Sequence, residues 1–216
     1  MKRIVVQKFG GTSVATPEVR ERVVGHIERV LAEGDRPVVV VSAMGRKGDP
    51  YATDTLLELV ESLGGAVEPR EIDLLLACGE VISTVVLAQT LRHRGHAAQA
   101  FTGPQAGIIT DGSFGNARIV RVEAERIGRA VANGVIPVVA GFQGLGPDGE
   151  VTTLGRGGSY TSAAALAVGL GAARLEVYTD VDGVKTADPR LAPDACTLER
   201  LTYREIAEMA HLGAKV

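Results

Sequence analysis

Residues 152–164 read TTLGRGGSYTSAA, a glycine-rich turn that opens directly into a helix of small residues running toward Gly169. The glycines of that turn let backbone N–H groups approach a bound anion, and the helix start adds unpaired donors and the positive end of the peptide dipoles. Arg156, set between glycines, can grip a carboxylate or a phosphate with two parallel hydrogen bonds. Taken alone the stretch also fits an ordinary strand-to-helix joint of an α/β sheet, so its neighbours must decide between the two.

A second glycine loop shifts the balance. Residues 3–13, RIVVQKFGGTS, are a short apolar run ending in Lys8-Phe9-Gly10-Gly11-Thr12-Ser13. This is not the P-loop pattern, because the lysine precedes its glycines. A lysine at a strand end beside free backbone donors nevertheless suits phosphate charge.

Outward from these two loops the chain alternates strand and helix. Ile4–Gln7, Pro37–Ser42 (PVVVVS), residues 97–101, Val135–Gly141 and Leu175–Thr179 read as strands. An unbroken β-branched run such as PVVVVS belongs in a sheet covered on both faces. Pro137 is a mild objection to a central place for the fourth strand. Helices are expected after Thr16-Pro17-Glu18, which supply an N-cap, a first-turn proline and a first-turn acid, and over Thr55–Leu63, a long segment from Pro69, Val122–Asn133 and Thr202–Leu212. Residues 102–120 read as a two-stranded excursion with turns at Asp111-Gly112 and Phe114-Gly115. No linker or repeat interrupts the pattern, which argues for one α/β domain with a mainly parallel sheet.

Glu80 stands out inside the long helix. It neighbours Cys78, Ile82 and Val85, and a buried carboxylate there needs a partner. The RKGDPYATD loop follows the carboxyl end of the PVVVVS strand, the edge where an open α/β sheet binds ligands. The four histidines do not cluster, and the two cysteines, Cys78 and Cys196, lack metal-type spacing.

Composition narrows the partners. The chain has 216 residues, 45% apolar and 23% charged, with net charge −3 and a pI near 5.9. Nothing in that balance favours nucleic acid. No apolar run in the bare sequence reaches membrane-spanning length and no signal peptide is evident, so no membrane partner and a cytoplasmic location with reduced thiols are expected.

Ten motifs in order resemble aspartate kinase: KFGGTSV at 8–14, VVSAMG at 40–45, CGEVIS at 78–83, FTGPQAG at 101–107, GNARI at 115–119, VVAGFQG at 138–144, TTLGRGGS at 152–159, YTDVDGV at 178–184, TADPR at 186–190 and GAKV at 213–216. The resemblance spans the whole chain and implies the amino acid kinase fold, a three-layer αβα sandwich with a mainly parallel open sheet. It implies transfer of the γ-phosphoryl group of ATP to the side-chain carboxylate of L-aspartate, the first step toward lysine, threonine and methionine. The RKGDPYATD loop resembles the lysine-pathway enzymes of Gram-positive-type bacteria.

By that resemblance Lys8 neutralises the transferring phosphoryl group, Gly10 and Gly11 donate backbone hydrogen bonds to it, and Lys215 is a second phosphate-contacting lysine. Ser42, Thr53, Asp54, Arg156 and Ser159 fall on the substrate side, with Arg156 on the α-carboxylate. Glu80 meets the ammonium group or orders the lysines. Thr179, Asp180, Lys185, Asp188 and Arg190 fall on the nucleotide side. Magnesium rides on the nucleotide phosphates, with no protein ligand named.

Two departures from that pattern stand out. After GRGGS the family has an aspartate, which holds the lysines in register, and this chain has Tyr160. The exchange is expected to cost turnover, on the order of 2–4 kcal/mol of transition-state stabilisation. The family also continues beyond GAKV with further strands and helices and with regulatory domains of the ACT type, whereas this sequence stops at Val216. A kinase domain over 1–216, incomplete at its carboxyl end and without ACT domains, is expected to leave an unpaired sheet edge that invites a second copy or a complementing chain. The competing readings are a non-catalytic nucleotide- or amino-acid-binding remnant and a kinase for another acidic or carbamate-like acceptor.

Overall fold

The structure, a computed structural model, describes residues 2–179, 183–187 and 192–211. They group into two compact units, Met1–Tyr178 and Thr179–Val216. In chain order the first unit contains β1 (Ile4–Phe9), α1 (Gly11–Val14), α2 (Pro17–Ala32), β2 (Arg36–Val41), α3 (Thr53–Glu61), α4 (Pro69–His93), β3 (Ala98–Phe101), β4 (Ile108–Thr110), β5 (Ile119–Val122), α5 (Glu125–Ala132), β6 (Ile136–Ala140), β7 (Gln143–Leu145), β8 (Val151–Thr153), α6 (Gly158–Gly169) and β9 (Arg174–Tyr178).

Five strands pair all-parallel in the order β3-β6-β2-β1-β9. Alternation along β2 explains its composition. Val39 and Val41 pack with Val23, Val24 and Ile27 of α2 and Leu87 and Leu91 of α4. Val38 and Val40 pack with Ile127 and Val131 of α5 and Leu166 of α6. Each face therefore needs a branched apolar side chain at every second position, which gives the continuous valine run. Helices on both faces make three layers.

Pro137 sits in β6, between β3 and β2, in spite of the objection its ring raises. The reason is register. The N–H of Ile136 points to β3, donating to Ala97 at 2.7 Å, so the nitrogen of the next residue points toward β2. The ladder to β2 begins only at Val138 and Val139, so the proline removes no bond.

The predicted two-stranded excursion is half of a second sheet, ordered β5-β4-β7-β8, in which two antiparallel hairpins join through a parallel contact between β4 and β7. Thr16 caps α2 as expected, accepting from the Val19 N–H, with Pro17 in the first turn.

Helix α4 has 25 residues and an 18-residue window of mean hydropathy 1.8, so one segment does have the length and composition to cross a membrane, contrary to the sequence expectation. Half of that window is buried, and the helix holds two carboxylates, Asp73 and Glu80, inside the protein. Its apolar residues are those of a core helix, recurring at helical spacing from Leu76 to Leu91.

In the second unit Lys185 pairs antiparallel with Thr197, and Thr202 with Glu205 forms a reciprocal capping box for α7 (Tyr203–His211).

Candidate active site

The site is built at the carboxyl ends of β1, β2 and β6. Lys8 shares its strand face with Val6, which packs in the α5 and α6 layer, so its side chain rises on the α6 side. It is 2% exposed, and its Nζ stands 3.5 Å from the centroid of the Tyr160 ring. Among the described residues no carboxylate pairs with it, and burial pulls the ammonium down to a pKa of about 8.

Glycine is required where this strand ends. A Cβ on Gly11 would lie 2.4 Å from the Ala43 carbonyl oxygen and 2.9 Å from that of Gly45, and the Gly45 N–H donates to the Gly11 carbonyl at 3.1 Å. The loops after β1 and β2 are thereby pressed together. A Cβ on Gly10 would stand 3.7 Å from the Lys8 Nζ, so the ammonium lies directly beside the glycine backbone.

On the other face of the sheet, α4 brings Glu80 to the loop after β2. Its Oε1 accepts from the Ala43 N–H at 3.0 Å, its Oε2 is buried with no partner among the described residues, and burial pushes its pKa up to about 8. The ordering of lysines expected of Glu80 is not seen, because no basic group contributes to its environment among the described residues. Its strand-side neighbours lie on the opposite face from Lys8. Gly79 permits the close approach, since a Cβ there would meet the Ala43 Cβ at 2.9 Å and the Tyr51 carbonyl at 3.0 Å. Ser42 ends β2, its N–H donating to the Phe9 carbonyl, while Thr53 and Asp54 open α3 just after Tyr51. These three and Glu80 therefore border one loop.

The glycine turn closes through the Gly158 N–H donating to the Gly155 carbonyl at 3.0 Å, with Gly155 and Gly157 at φ 72° and 77°. Ser159 is buried against β6, 2.9 Å separating its Cβ from the place a Cβ on Gly141 would take. Arg156 is exposed and makes no hydrogen bond among the described residues. Tyr160 ties the two glycine loops together, since it follows Arg156 by one turn and touches Lys8.

Thr179 and Lys185 belong to the second unit, where the Lys185 Nζ donates to the Thr197 Oγ1 at 3.2 Å. Asp180, Asp188, Arg190 and Lys215 lie outside the described residues. Among the described residues no three His, Cys, Asp or Glu side chains group to hold a metal. An open groove of about 460 Å³ beside Arg92, His96 and Val135 lies at the amino end of β3 and β6, away from these loops.

A sequence profile described as the amino acid kinase family matches residues 3–216. The chain belongs to the amino acid kinase family. Aspartokinase 1 of Bacillus subtilis (strain 168) is 52% identical over 214 residues, covering 99% of this family member and 53% of the relative. The chain thus spans about half the length of the curated relatives it matches. The structure of aspartate kinase from Synechocystis superposes with a TM-score of 0.81 at 42% identity, over 98% of this chain and 34% of that one. E. coli aspartokinase III in complex with aspartate and ADP gives 0.79 at 30% identity, over 96% and 56%.

Two residues of this amino acid kinase chain escaped the sequence reading. Phe142 adopts φ 68°, the only positive φ outside glycine among the described residues. It is held there by its N–H donating to the Ser162 Oγ at 3.0 Å and by its carbonyl accepting from the Leu154 N–H at 2.8 Å. No local signal announces it. Asp73 is fully buried on the α4 face that carries Glu80, seven residues earlier.

Proposed function

We propose that this chain carries the catalytic part of an aspartate kinase, transferring the γ-phosphoryl group of ATP to the side-chain carboxylate of L-aspartate to give 4-phospho-L-aspartate and ADP. One observation carries the reading: a buried lysine with no counter-ion among the described residues, at the end of β1, beside Gly10 and Gly11 and joined through Tyr160 to the turn that holds Arg156. An unpaired buried ammonium is costly unless an anion occupies the space next to it.

In the reaction an aspartate carboxylate oxygen forms a bond to the γ-phosphorus while the bond to the bridging oxygen breaks, and ADP leaves with that electron pair. The acceptor is already ionised, so no general base is needed. Positioning and charge stabilisation suffice. Lys8 and the backbone N–H groups of Gly10 and Gly11 neutralise the transferring group. Arg156, free to swing at the surface, clamps the α-carboxylate. The Oε2 of Glu80, unpartnered among the described residues, takes a hydrogen bond from the substrate ammonium, with Ser42, Thr53 and Asp54 around the same loop and Ser159 contributing from α6.

The nucleotide roles of Thr179, Asp180, Lys185, Asp188, Arg190 and Lys215 follow from the resemblance, as does magnesium carried on the phosphates. So do a kinase domain continuing through residue 216 and a cytoplasmic location. Tyr160 lowers turnover relative to a carboxylate at that position, on the order of 2–4 kcal/mol.

The deciding experiment measures ADP release with and without aspartate, and with glutamate in its place, for the wild-type chain and Lys8→Met. Aspartate-dependent release that disappears in the variant is expected. ATP binding without transfer would assign the chain to the non-catalytic binding class, and equal rates with glutamate would change the acceptor.

A further inference from the structure

We infer that Tyr160 is the positioning residue of Lys8, holding its ammonium over the Gly10–Gly11 loop with the face of an aromatic ring. This deepens the kinase reading and rests on it for the meaning of Lys8, though the contact itself does not.

The ring is well placed for the task. Tyr160 is the third residue of α6, and its backbone N–H donates to the Gly157 carbonyl at 2.9 Å, so the turn fixes where the side chain starts. From there the ring meets the Lys8 Nζ at 3.5 Å from its centroid, a cation over the negative face of a π system. The ammonium is 2% exposed and the tyrosine 39% exposed, so the ring walls the cation off from solvent on that side and is itself half in water. The phenol hydroxyl makes no hydrogen bond among the described residues, so the ring and not the hydroxyl does the holding.

Among the described residues no charged group pairs with Lys8. Its register partners are Val40 on β2 and Val177 on β9. Glu176, the nearest acid in sequence on β9, is paired with Gln7 on the opposite face and bonds to Arg174 and Tyr178. From α6 the titratable group is Tyr160.

A ring holds a cation without neutralising it. The whole positive charge stays available to a phosphate, and the proton is held less firmly than a carboxylate would hold it. Lys8 in this chain is therefore an ammonium kept in place yet easily titrated, and binding of a polyanion raises its proton affinity.

The test titrates the Lys8 Nζ by NMR in the full ligand-free chain with isotope-labelled lysine, assigning the signal by its loss in Lys8→Met. Tyr160→Phe is expected to titrate with the wild type. Tyr160→Leu, which keeps bulk and removes the π face, is expected to titrate about 0.5 to 1 pH unit lower. Tyr160→Asp is expected to titrate at least about 1 pH unit higher. Leu coinciding with Phe, or Phe departing from wild type, overturns the proposal. Should Tyr160→Leu fail to fold by circular dichroism, the pair Phe and Asp decides: Phe at the wild-type midpoint with Asp above it supports the ring, and any other order rejects it. No nucleotide is present, so absence of ADP release in the kinase assay would reject the function and leave this result standing.

Discussion

Asp73 and Glu80 lie two turns apart on one buried face of α4, and their surroundings differ in kind. Asp73 accepts from the Gly115 N–H with both oxygens at 3.0 Å, from the Thr153 N–H at 2.7 Å and from the Thr153 Oγ1 at 2.7 Å. It closes the loop before β5 and strand β8 onto the helix. Glu80 has one bond, to the Ala43 N–H, and one oxygen with none. The first acid is spent on the fold. The second keeps unused capacity where the loops after β1 and β2 meet, at an energetic cost that a ligand donor at Oε2 would offset under the proposed function. Burial alone therefore does not separate the two acids; unfilled hydrogen-bonding capacity does.

Removing the first acid should produce the largest effect. Asp73→Ala strands the Thr153 N–H and hydroxyl inside the protein, and the expected loss is about 4 kcal/mol, from two buried bonds to a charged acceptor worth roughly 1.5–3 kcal/mol each. Urea unfolding of the purified variant measures it. A loss under about 1 kcal/mol would mean that the two segments are held by other contacts, and the contrast with Glu80 would fail.

The second acid should show itself through pH. Burial raises its pKa from 4.5 to about 8, so the folded chain keeps a proton that the unfolded chain releases between those values. The stability it contributes is fully present below pH 4.5 and is lost as pH rises through 8. Lys8 works in the neighbouring window. Its pKa falls from 10.5 to about 8, so its burial penalty stands below pH 8 and is relieved as pH climbs toward 10.5. Together they place the least favourable point near pH 8 for the ligand-free chain. In Glu80→Gln the decline between pH 4.5 and 8 should vanish, leaving the variant more stable than wild type by a few kcal/mol above pH 8, at about 1.4 kcal/mol per pKa unit. Melting temperatures of the two proteins across that range check the sign. Parallel profiles would show that Oε2 is solvated and that Glu80 resembles an exposed acid.

Periodic features of the fold were legible in the sequence, and features that depend on side-chain direction were not. The PVVVVS run demanded a sheet covered on both sides, and β2 is such a strand. The lysine before paired glycines marked the end of β1; Glu80 is buried as expected, although Cys78 and Val85, two of the neighbours that pointed to it, are exposed. Asp73 was missed because one acid in an apolar helix looks like part of a solvated face; only its partners before β5 and on β8, 42 and 80 residues away, distinguish it. Phe142 was missed because a positive φ in phenylalanine is imposed by tertiary bonds, not by a local preference. Tyr160 was noticed as a departure, yet its role depended on Lys8 rising on the α6 face, a matter of strand register.

The smallest expected effect separates the two carboxylate regions most finely. Ser83 follows Glu80 by one turn on the same buried face, and its Oγ has no partner. Its neighbours show what a satisfied hydroxyl on this helix looks like: the Thr84 Oγ1 donates to the Glu80 carbonyl at 2.6 Å and the Thr90 Oγ1 to the Val86 carbonyl at 2.9 Å. Ser83 could make the same bond to its own preceding turn and does not, which leaves a second polar atom uncommitted on the buried face of α4 that carries Glu80. Ser83→Ala should therefore stabilise the ligand-free chain by about 0.5–1 kcal/mol, because a buried unpaired hydroxyl is removed and nothing is broken. Thermal unfolding with and without aspartate reads both sides of the argument. A gain without aspartate coupled to a smaller protection by aspartate places Ser83 with Glu80 in the pocket. A loss without aspartate would mean that ordered water already satisfies the pair, and Glu80 would then stand with Asp73 as part of the framework.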